Sequence, residues 1–385
     1  MLHQYFKTPE EGGAIRSYYL AKALATHGHQ VVVITSGSKK KYHTENLEGI
    51  EVHYLPIAYD NRFGFYARGL AFIRFMVSSA RLSEKFKDAD YCYAISVPLT
   101  VGRAAQWIKF RYGIPYFFEV GDLWPDAPIQ MGFVRNPFLK RALYYIEKSI
   151  YQGARSIVVL SPAIQAAIER KVTGKKIWLI PNMADCDYFL PEEKKPALEN
   201  KFDVSGKFVI SYVGALGVAN GLDYFLACAQ ASRNYPNFHF ILCGDGAMRE
   251  SLSRDAGNLY LNNLTILDFV NREGVKEIMN VTDAVFVCYK PVPILETGSP
   301  NKYFDGLAAG KLIIINFGGW IKMEIEEEQC GVYIDPMEPE DFVKKMEPFV
   351  SNRDLIKPFQ LKARQLAERK YSRKLLSESF SKIFS

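Results

Sequence analysis

Residues 296–315 read Glu296-Thr-Gly-Ser-Pro300-Asn-Lys302-Tyr-Phe-Asp305-Gly-Leu-Ala-Ala-Gly310-Lys-Leu-Ile-Ile-Ile315. The stretch parses as a polar loop, a short helix, a glycine stop and a buried strand. Pro300 suits the first helical position, where its missing N–H has no partner to lose. The free N–H groups of such a start, at Asn301 and Lys302, favour an anion, and the Lys302 side chain adds a full positive charge beside them. Asp305 follows Lys302 by one helical turn and shares its face. A cation at a helix start and a carboxylate one turn later can hold a phosphorylated sugar, phosphate on the first and ribose hydroxyls on the second. The competing reading is an ordinary surface helix with an exposed charge pair.

Outward from this stretch, β-branched apolar runs alternate with helix-length segments along the whole chain. In the first half the runs are Val31–Thr35, Tyr91–Ile95, Tyr116–Val120, Ser156–Leu160 and Ile177–Ile180; in the second, Phe208–Val213, Phe238–Leu242, Asn263–Ile266, Ala284–Val287 and Leu312–Ile315. Continuous apolar strands separated by helices imply parallel sheets covered on both faces, and two successive arrays imply two doubly wound α/β domains. A length of 385 residues agrees with two domains. The seam is expected near Asp187–Gly206, around the polar Pro191-Glu-Glu-Lys-Lys-Pro196. The expected division is 1–188 and 189–371, with a last helix at 372–385 returning to the first domain. The first strand would have to be Met1–Tyr5, which is very short, so the reading favours a true start upstream of Met1.

Composition narrows the class. The chain is 48% hydrophobic and 23% charged, as soluble globular proteins are, and no run has the length of a membrane span. Six cysteines are scattered without a CxxC pair, which fits reduced cytosolic thiols better than disulfides or zinc. Residues 1–190 carry a net +8 and residues 191–385 a net −2. A basic first half can meet an anionic membrane or substrate. Nucleic acid is not expected, since no helix-turn-helix, zinc finger or RNP motif is present.

Ligands of open parallel sheets bind beyond the carboxyl ends of the strands, so the loops there hold the candidates. Lys7-Thr-Pro-Glu-Glu-Gly12-Gly13-Ala-Ile-Arg16 follows the first strand, and its paired glycines permit close backbone approach to a phosphate. Gly121-Asp122-Leu-Trp124-Pro125 places a carboxylate where a cleft residue would sit, or where a helix cap would. Val213-Gly214-Ala-Leu-Gly217 and Cys243-Gly244-Asp-Gly246 repeat the glycine pattern after successive strands; tight strand-to-helix turns would look the same. Two DxD patterns, Asp88-Ala-Asp90 and Asp185-Cys-Asp187, lead into a strand and sit in a domain-edge turn, and no metal site is expected at either. Asn61–Met76 interleaves arginines with Phe65, Phe72 and Met76 at helical spacing, which suits either a membrane-surface helix, extended by Leu139–Ile146, or a helix packed on its sheet.

In order and spacing these motifs resemble glycosyltransferase family 4, bacterial retaining enzymes of GT-B architecture, and especially the branch that builds O-antigen and capsule sugars, including N-acetylfucosamine transferases. The resemblance rests on Pro9–Arg16, Gly121–Pro125, Ile180-Pro-Asn182-Met-Ala-Asp185 with Phe189, Tyr212–Gly217 with Gly221-Leu-Asp223, Gly244–Gly246, and Ser299–Asp305 with Ala309-Gly310. It implies two Rossmann-like domains facing across a cleft and transfer from a UDP-sugar donor with no metal or other cofactor. It further implies a lipid-diphosphate-linked saccharide as acceptor, in the cytoplasm at the inner face of the bacterial membrane. Carried over by position, Asp305 holds the ribose, Lys302 neutralises the diphosphate with Gly12 and Gly13 approaching it, and Glu296 sits near the donor sugar. Two departures stand out. Glu296 and Asp305 have eight residues between them rather than seven, and the loop Gly214–Asp223 lacks the basic residue many relatives carry. Its charge then falls to Lys302, Arg16 or Arg249. Asp122 is the expected acceptor or sugar contact. A nucleotide-sugar epimerase and a non-catalytic nucleotide-sugar-binding subunit remain the alternatives.

Overall fold

The computed structural model describes residues 1–12, 15–59 and 63–384, the Phe65 side chain excepted. Thirteen strands form among these residues: β1 (Val31–Gly37), β2 (His43–Leu47), β3 (Ile50–Pro56), β4 (Cys92–Ile95), β5 (Tyr116–Val120), β6 (Ser156–Val159), β7 (Ile177–Leu179), β8 (Phe208–Val213), β9 (Phe238–Cys243), β10 (Leu264–Leu267), β11 (Ala284–Val287), β12 (Leu312–Ile315) and β13 (Gly331–Tyr333). The first array runs β2-β3-β1 and β4-β5-β6-β7, and Leu2 bridges the two groups by pairing in parallel with both Ile34 and Ala94. The second is a six-stranded sheet in the order β10-β9-β8-β11-β12-β13. All pairings are parallel except β2 with β3. Both sheets are therefore doubly wound Rossmann-like layers, with the second-domain strands β9, β11 and β12 buried along their whole length. Full burial of each Val, Leu or Ile there contributes about 1.5–3 kcal/mol.

Two features join the halves. The chain leaves β7 through an irregular stretch into the helix Pro196–Phe202, and returns at Tyr371–Arg373, where Ala184 exchanges backbone hydrogen bonds with Tyr371 and Arg373 at 2.8 and 3.1 Å. The last helix, Arg373–Ser381, then lies on the first domain: Phe380 packs edge-on to Tyr93 at 5.0 Å and Phe384 reaches Phe117 at 4.8 Å. The strands' carboxyl ends thus face each other across a cleft.

Candidate active site

The helix of the opening stretch spans Asn301–Ala308. Tyr303, Phe304, Leu307 and Ala308 are its buried face. Gly306 lets that face sit directly on the sheet, since a Cβ there would meet Ile313 Cδ1 at 2.8 Å and Val285 Cβ at 3.1 Å. Pro300 turns out to be the N-cap, with extended backbone (φ −73°, ψ 129°), rather than the first helical residue. No side chain caps this end, so the N–H groups of Asn301 and Lys302 stay free for a ligand.

Those groups open onto a cleft of about 780 Å³ between the domains. Lys302 is half-buried in its wall, with its ammonium 4.6 Å from the Tyr212 ring centre and 6.0 Å from that of Tyr289. Among the described residues it makes no hydrogen bond or ion pair, and desolvation pulls its pKa down to about 8 against the attraction of Cys288 and Asp305. Asp305, also half-buried, has no hydrogen-bond partner among the described residues either; desolvation pushes its pKa up to about 7, with Arg272 and Lys302 acting against that and Asp185 adding to it. A cation and a carboxylate both held away from their ordinary pKa, both unpaired and both lining one cleft, are the usual mark of a ligand site.

The remaining sequence candidates divide. Gly12, Arg16, Gly214, Gly244 and Asn301 line the cleft together with Lys302 and Asp305; Gly217, Glu296 and Asp122 are not among the lining residues. Gly13 lies outside the described residues. Glu296 turns to the Gly318 N–H, which it accepts at 3.3 Å. Asp122 is solvent-accessible, yet desolvation raises its pKa, and its charge adds to the desolvation that pushes up the Tyr289 phenol. Arg16 is occupied: its Nε and Nη2 donate to both Glu119 oxygens at 3.1 Å, and further bonds go to Pro181 O and Ile180 O. Its charge is already answered by a buried carboxylate. Arg249 is bound to Asp268 at 2.8 Å and to Ser253. Of the three cations named for the diphosphate, Lys302 is the one without a hydrogen-bond or ion-pair partner among the described residues.

Gly214 and Gly244 of the second domain also meet each other. Gly214 N donates to Cys243 O at 3.0 Å and Leu216 N to Asp245 O at 2.9 Å, so the two strand-following loops interlock backbone to backbone. At Gly244, φ is +148° and a Cβ would fall 1.9 Å from Gly214 O. The close approach is between the loops themselves, and together they floor the cleft.

Several lining residues escaped the sequence reading. Asp185 binds Arg272 and, at 2.9 Å, Arg373, so the Asp185-Cys-Asp187 pattern is an arginine clamp, with Asp187 taking the other arm of Arg373 at 2.7 Å. Tyr19 completes it, accepting from Arg272 at 3.0 Å and lying 4.5 Å beneath the Arg373 guanidinium. Phe269, in the loop after β10, is 60% exposed yet lines the cleft, with its ring 3.7 Å from the position a Cβ on Gly12 would occupy. Its place after a strand was the signal available; no glycine drew attention to it.

The helix Phe65–Leu82 presents a different stripe from the one the spacing suggested. Phe72 and Met76 pack inward. The outward stripe is Tyr66, Leu70, Ile73 and Val77, at 89, 49, 52 and 37% exposure. Phe138 and Tyr145 of the helix Pro137–Gly153 are 83% and 76% exposed. No helix among the described residues is long and apolar enough to cross a membrane.

Comparison with known proteins agrees with this layout. The Glycosyl transferase 4-like domain family matches residues 11–183, and the Glycosyl transferases group 1 family matches residues 194–370. The alpha-D-kanosaminyltransferase of Streptomyces kanamyceticus is 20% identical over 265 residues, which is 65% of this chain and 64% of that protein, under two thirds of its length. Among solved structures, sucrose-phosphate synthase of Thermosynechococcus elongatus superposes with a TM-score of 0.80 at 14% identity, covering 97% of this chain and 93% of that one. The Anabaena protein HepE in complex with UDP-glucose gives 0.73 at 15% identity, covering 100% and 98%.

Proposed function

From the premise that the chain belongs to the GT-B glycosyltransferases, with a 4-like domain followed by a group 1 domain, we propose that it is a retaining enzyme of bacterial surface polysaccharide synthesis. It moves a sugar, an N-acetylhexosamine or a deoxy derivative, from a UDP-sugar to a lipid-diphosphate-linked saccharide. The observation that carries the donor half is the unpaired Lys302 and Asp305 on one uncapped helix at the cleft wall. The departing diphosphate gains negative charge as the glycosidic bond breaks. A fixed ammonium and free N–H groups at that point stabilise the transition state more than the ground state. Asp305 accepts from the ribose hydroxyls, and Phe269 offers a face to the base. That HepE was solved with UDP-glucose supports a uridine donor for this chain. The resemblance to family 4 supports retention of configuration and diphosphate neutralisation by protein groups.

The acceptor half rests on the first domain's surface. The outward apolar stripe of Phe65–Leu82 lies beside exposed Arg74, and Phe138 lies beside exposed Arg141. Apolar side chains flanked by arginines suit the interface of an anionic bilayer, which supports work at the inner face of the bacterial membrane. Incubation with a panel of UDP-sugars and a polyprenyl-diphosphate-linked saccharide tests the transfer. Sedimentation with vesicles containing phosphatidylglycerol tests the surface, with binding expected to fall in Arg74→Glu/Arg141→Glu and at high salt. Donor turnover without transfer to any lipid-linked saccharide, or vesicle binding indifferent to both changes, contradicts the respective half.

A further inference from the structure

The segment just ahead of the helix Asn301–Ala308 belongs to the second domain by sequence but is seated in the first. Its short turn, Pro293–Thr297, touches the first-domain helices Asp126–Gln130 and Pro162–Glu169 as well as Trp320–Glu327 of its own domain. Ile294 is 8% exposed and joins the buried cluster of Leu123 and Ile164, whose other buried members all fall between Leu2 and Val172. Val292 and Leu295 pack against the same cluster. The next carbonyls in the chain are then taken up by side chains. Ser161 Oγ donates to Thr297 O at 2.6 Å, Trp320 Nε1 to Gly298 O at 2.8 Å, and Asn182 Nδ2 to Ser299 O. Ser161 and Asn182 reach in from the first-domain side and are 0% and 7% exposed. Ser161 Oγ also accepts from Ile164 N at 3.0 Å, so its proton goes to Thr297 O.

We propose that Ser161 and Asn182 are positioning residues for the donor diphosphate, through which the first domain sets the helix start that carries Lys302. This rests on the reading of Lys302 and the free N–H groups of Asn301 and Lys302 as the diphosphate site. Pro300 has a fixed φ and holds Ser299 in extended backbone. With the carbonyls of Thr297, Gly298 and Ser299 pinned as well, little slack is left in the direction of the N–H groups that follow. Hydrogen bonds to a phosphate depend on that direction. Asp305 lies one turn further on, in the part of the helix held by buried Tyr303, Phe304 and Leu307, so its place does not depend on the strap.

The experiment titrates the full chain with uridine and with UDP by NMR, below the Tm of each variant. Ser161→Ala removes a donor and a helix cap, whereas Asn182→Leu removes a donor alone and keeps roughly the same volume. Both are expected to lose about tenfold in UDP affinity while uridine affinity stays within about twofold. A merely structural role would lower Tm and leave the ratio of the two affinities as in the wild type. An unchanged ratio in Asn182→Leu overturns the positioning role and leaves the Lys302 site intact. A wild type that binds uridine as tightly as UDP overturns the inference together with the diphosphate reading.

Discussion

The Lys302 ammonium lies 4.6 Å from the centre of the Tyr212 ring, and no hydrogen bond or ion pair holds it among the described residues. Tyr212 is buried in β8, and Lys302 stands at the start of the helix that precedes β12. Two strands of one sheet, with β11 between them, therefore flank a partly desolvated cation that lines the cleft.

Replacing that cation should separate activity from stability. Lys302→Met is expected to lose about 10²–10³ in kcat, the usual cost of removing one group that stabilises developing charge. Its unliganded Tm at pH 7 should rise by a few degrees, since a lysine whose folded pKa is about 8 opposes folding while it is charged. The gain should shrink as pH climbs from about 8 toward 10.5, where the wild-type lysine is neutral in the fold. Steady-state kinetics and thermal melts across pH check both; activity within about threefold of wild type would remove Lys302 from the chemistry.

Asp305→Ala should weaken UDP binding by about 10- to 150-fold, the roughly 1.5–3 kcal/mol of hydrogen bonds to a charged acceptor. The carboxylate has a folded pKa of about 7, so above that pH its charge opposes folding, and the variant should melt higher at pH 8. As pH falls from about 7 toward 3.8 the wild type takes up the proton in the fold and recovers, so the difference closes. Calorimetric titration and melts at several pH values read this out.

The same two groups set the pH range of nucleotide binding. Below about 7 Asp305 is protonated, and above about 8 Lys302 is neutral. UDP affinity should peak between these values and fall on either side by up to about tenfold per pH unit. A flat profile from pH 6 to 9.5 would show that neither group meets the nucleotide.

The clamp at the domain junction should behave unlike a surface ion pair. Asp185 is 4% exposed and answers two arginines. Asp185→Ala leaves Arg272 without a carboxylate and Arg373 with Asp187 alone, and should cost about 3–5 kcal/mol. Asp187, whose side chain is 79% exposed, serves one arm of Arg373, and Asp187→Ala should cost about 0–1 kcal/mol. Denaturant unfolding of the two variants gives the comparison.

Gly244→Ala should disrupt the cleft floor. A Cβ 1.9 Å from Gly214 O forces the backbone to move, and φ +148° strains any side chain. Loss of UDP binding with a Tm several degrees lower is expected.

How far the sequence carried the fold depended on burial. Strands such as Phe208–Val213 and Leu312–Ile315 are covered on both faces and so write a continuous apolar run, which is why their ends were legible to the residue. β2 was not: His43-Thr-Glu-Asn-Leu47 is a solvated edge strand held by its antiparallel partner β3, and β3 carries Glu51 and His53 among its apolar residues, which breaks the continuous run. β13 is a short edge segment of Gly331-Val-Tyr333 with the same difficulty. At the site, Lys302 and Asp305 were legible because a helix turn relates them. Asp185 with Arg272 and Arg373, and Phe269 with Gly12, meet only once two domains fold and face each other. Local periodicity holds no trace of such pairs. The second-domain glycines show the converse: the pattern was visible, but loop-on-loop contact explains it as well as phosphate does.

The most direct measurement is a crystal structure with UDP bound. The account predicts the diphosphate against the Lys302 ammonium and the N–H groups of Asn301 and Lys302, and the ribose hydroxyls on the Asp305 carboxylate. UDP lodged elsewhere in the protein, with Lys302 and Asp305 still unpaired, would contradict it.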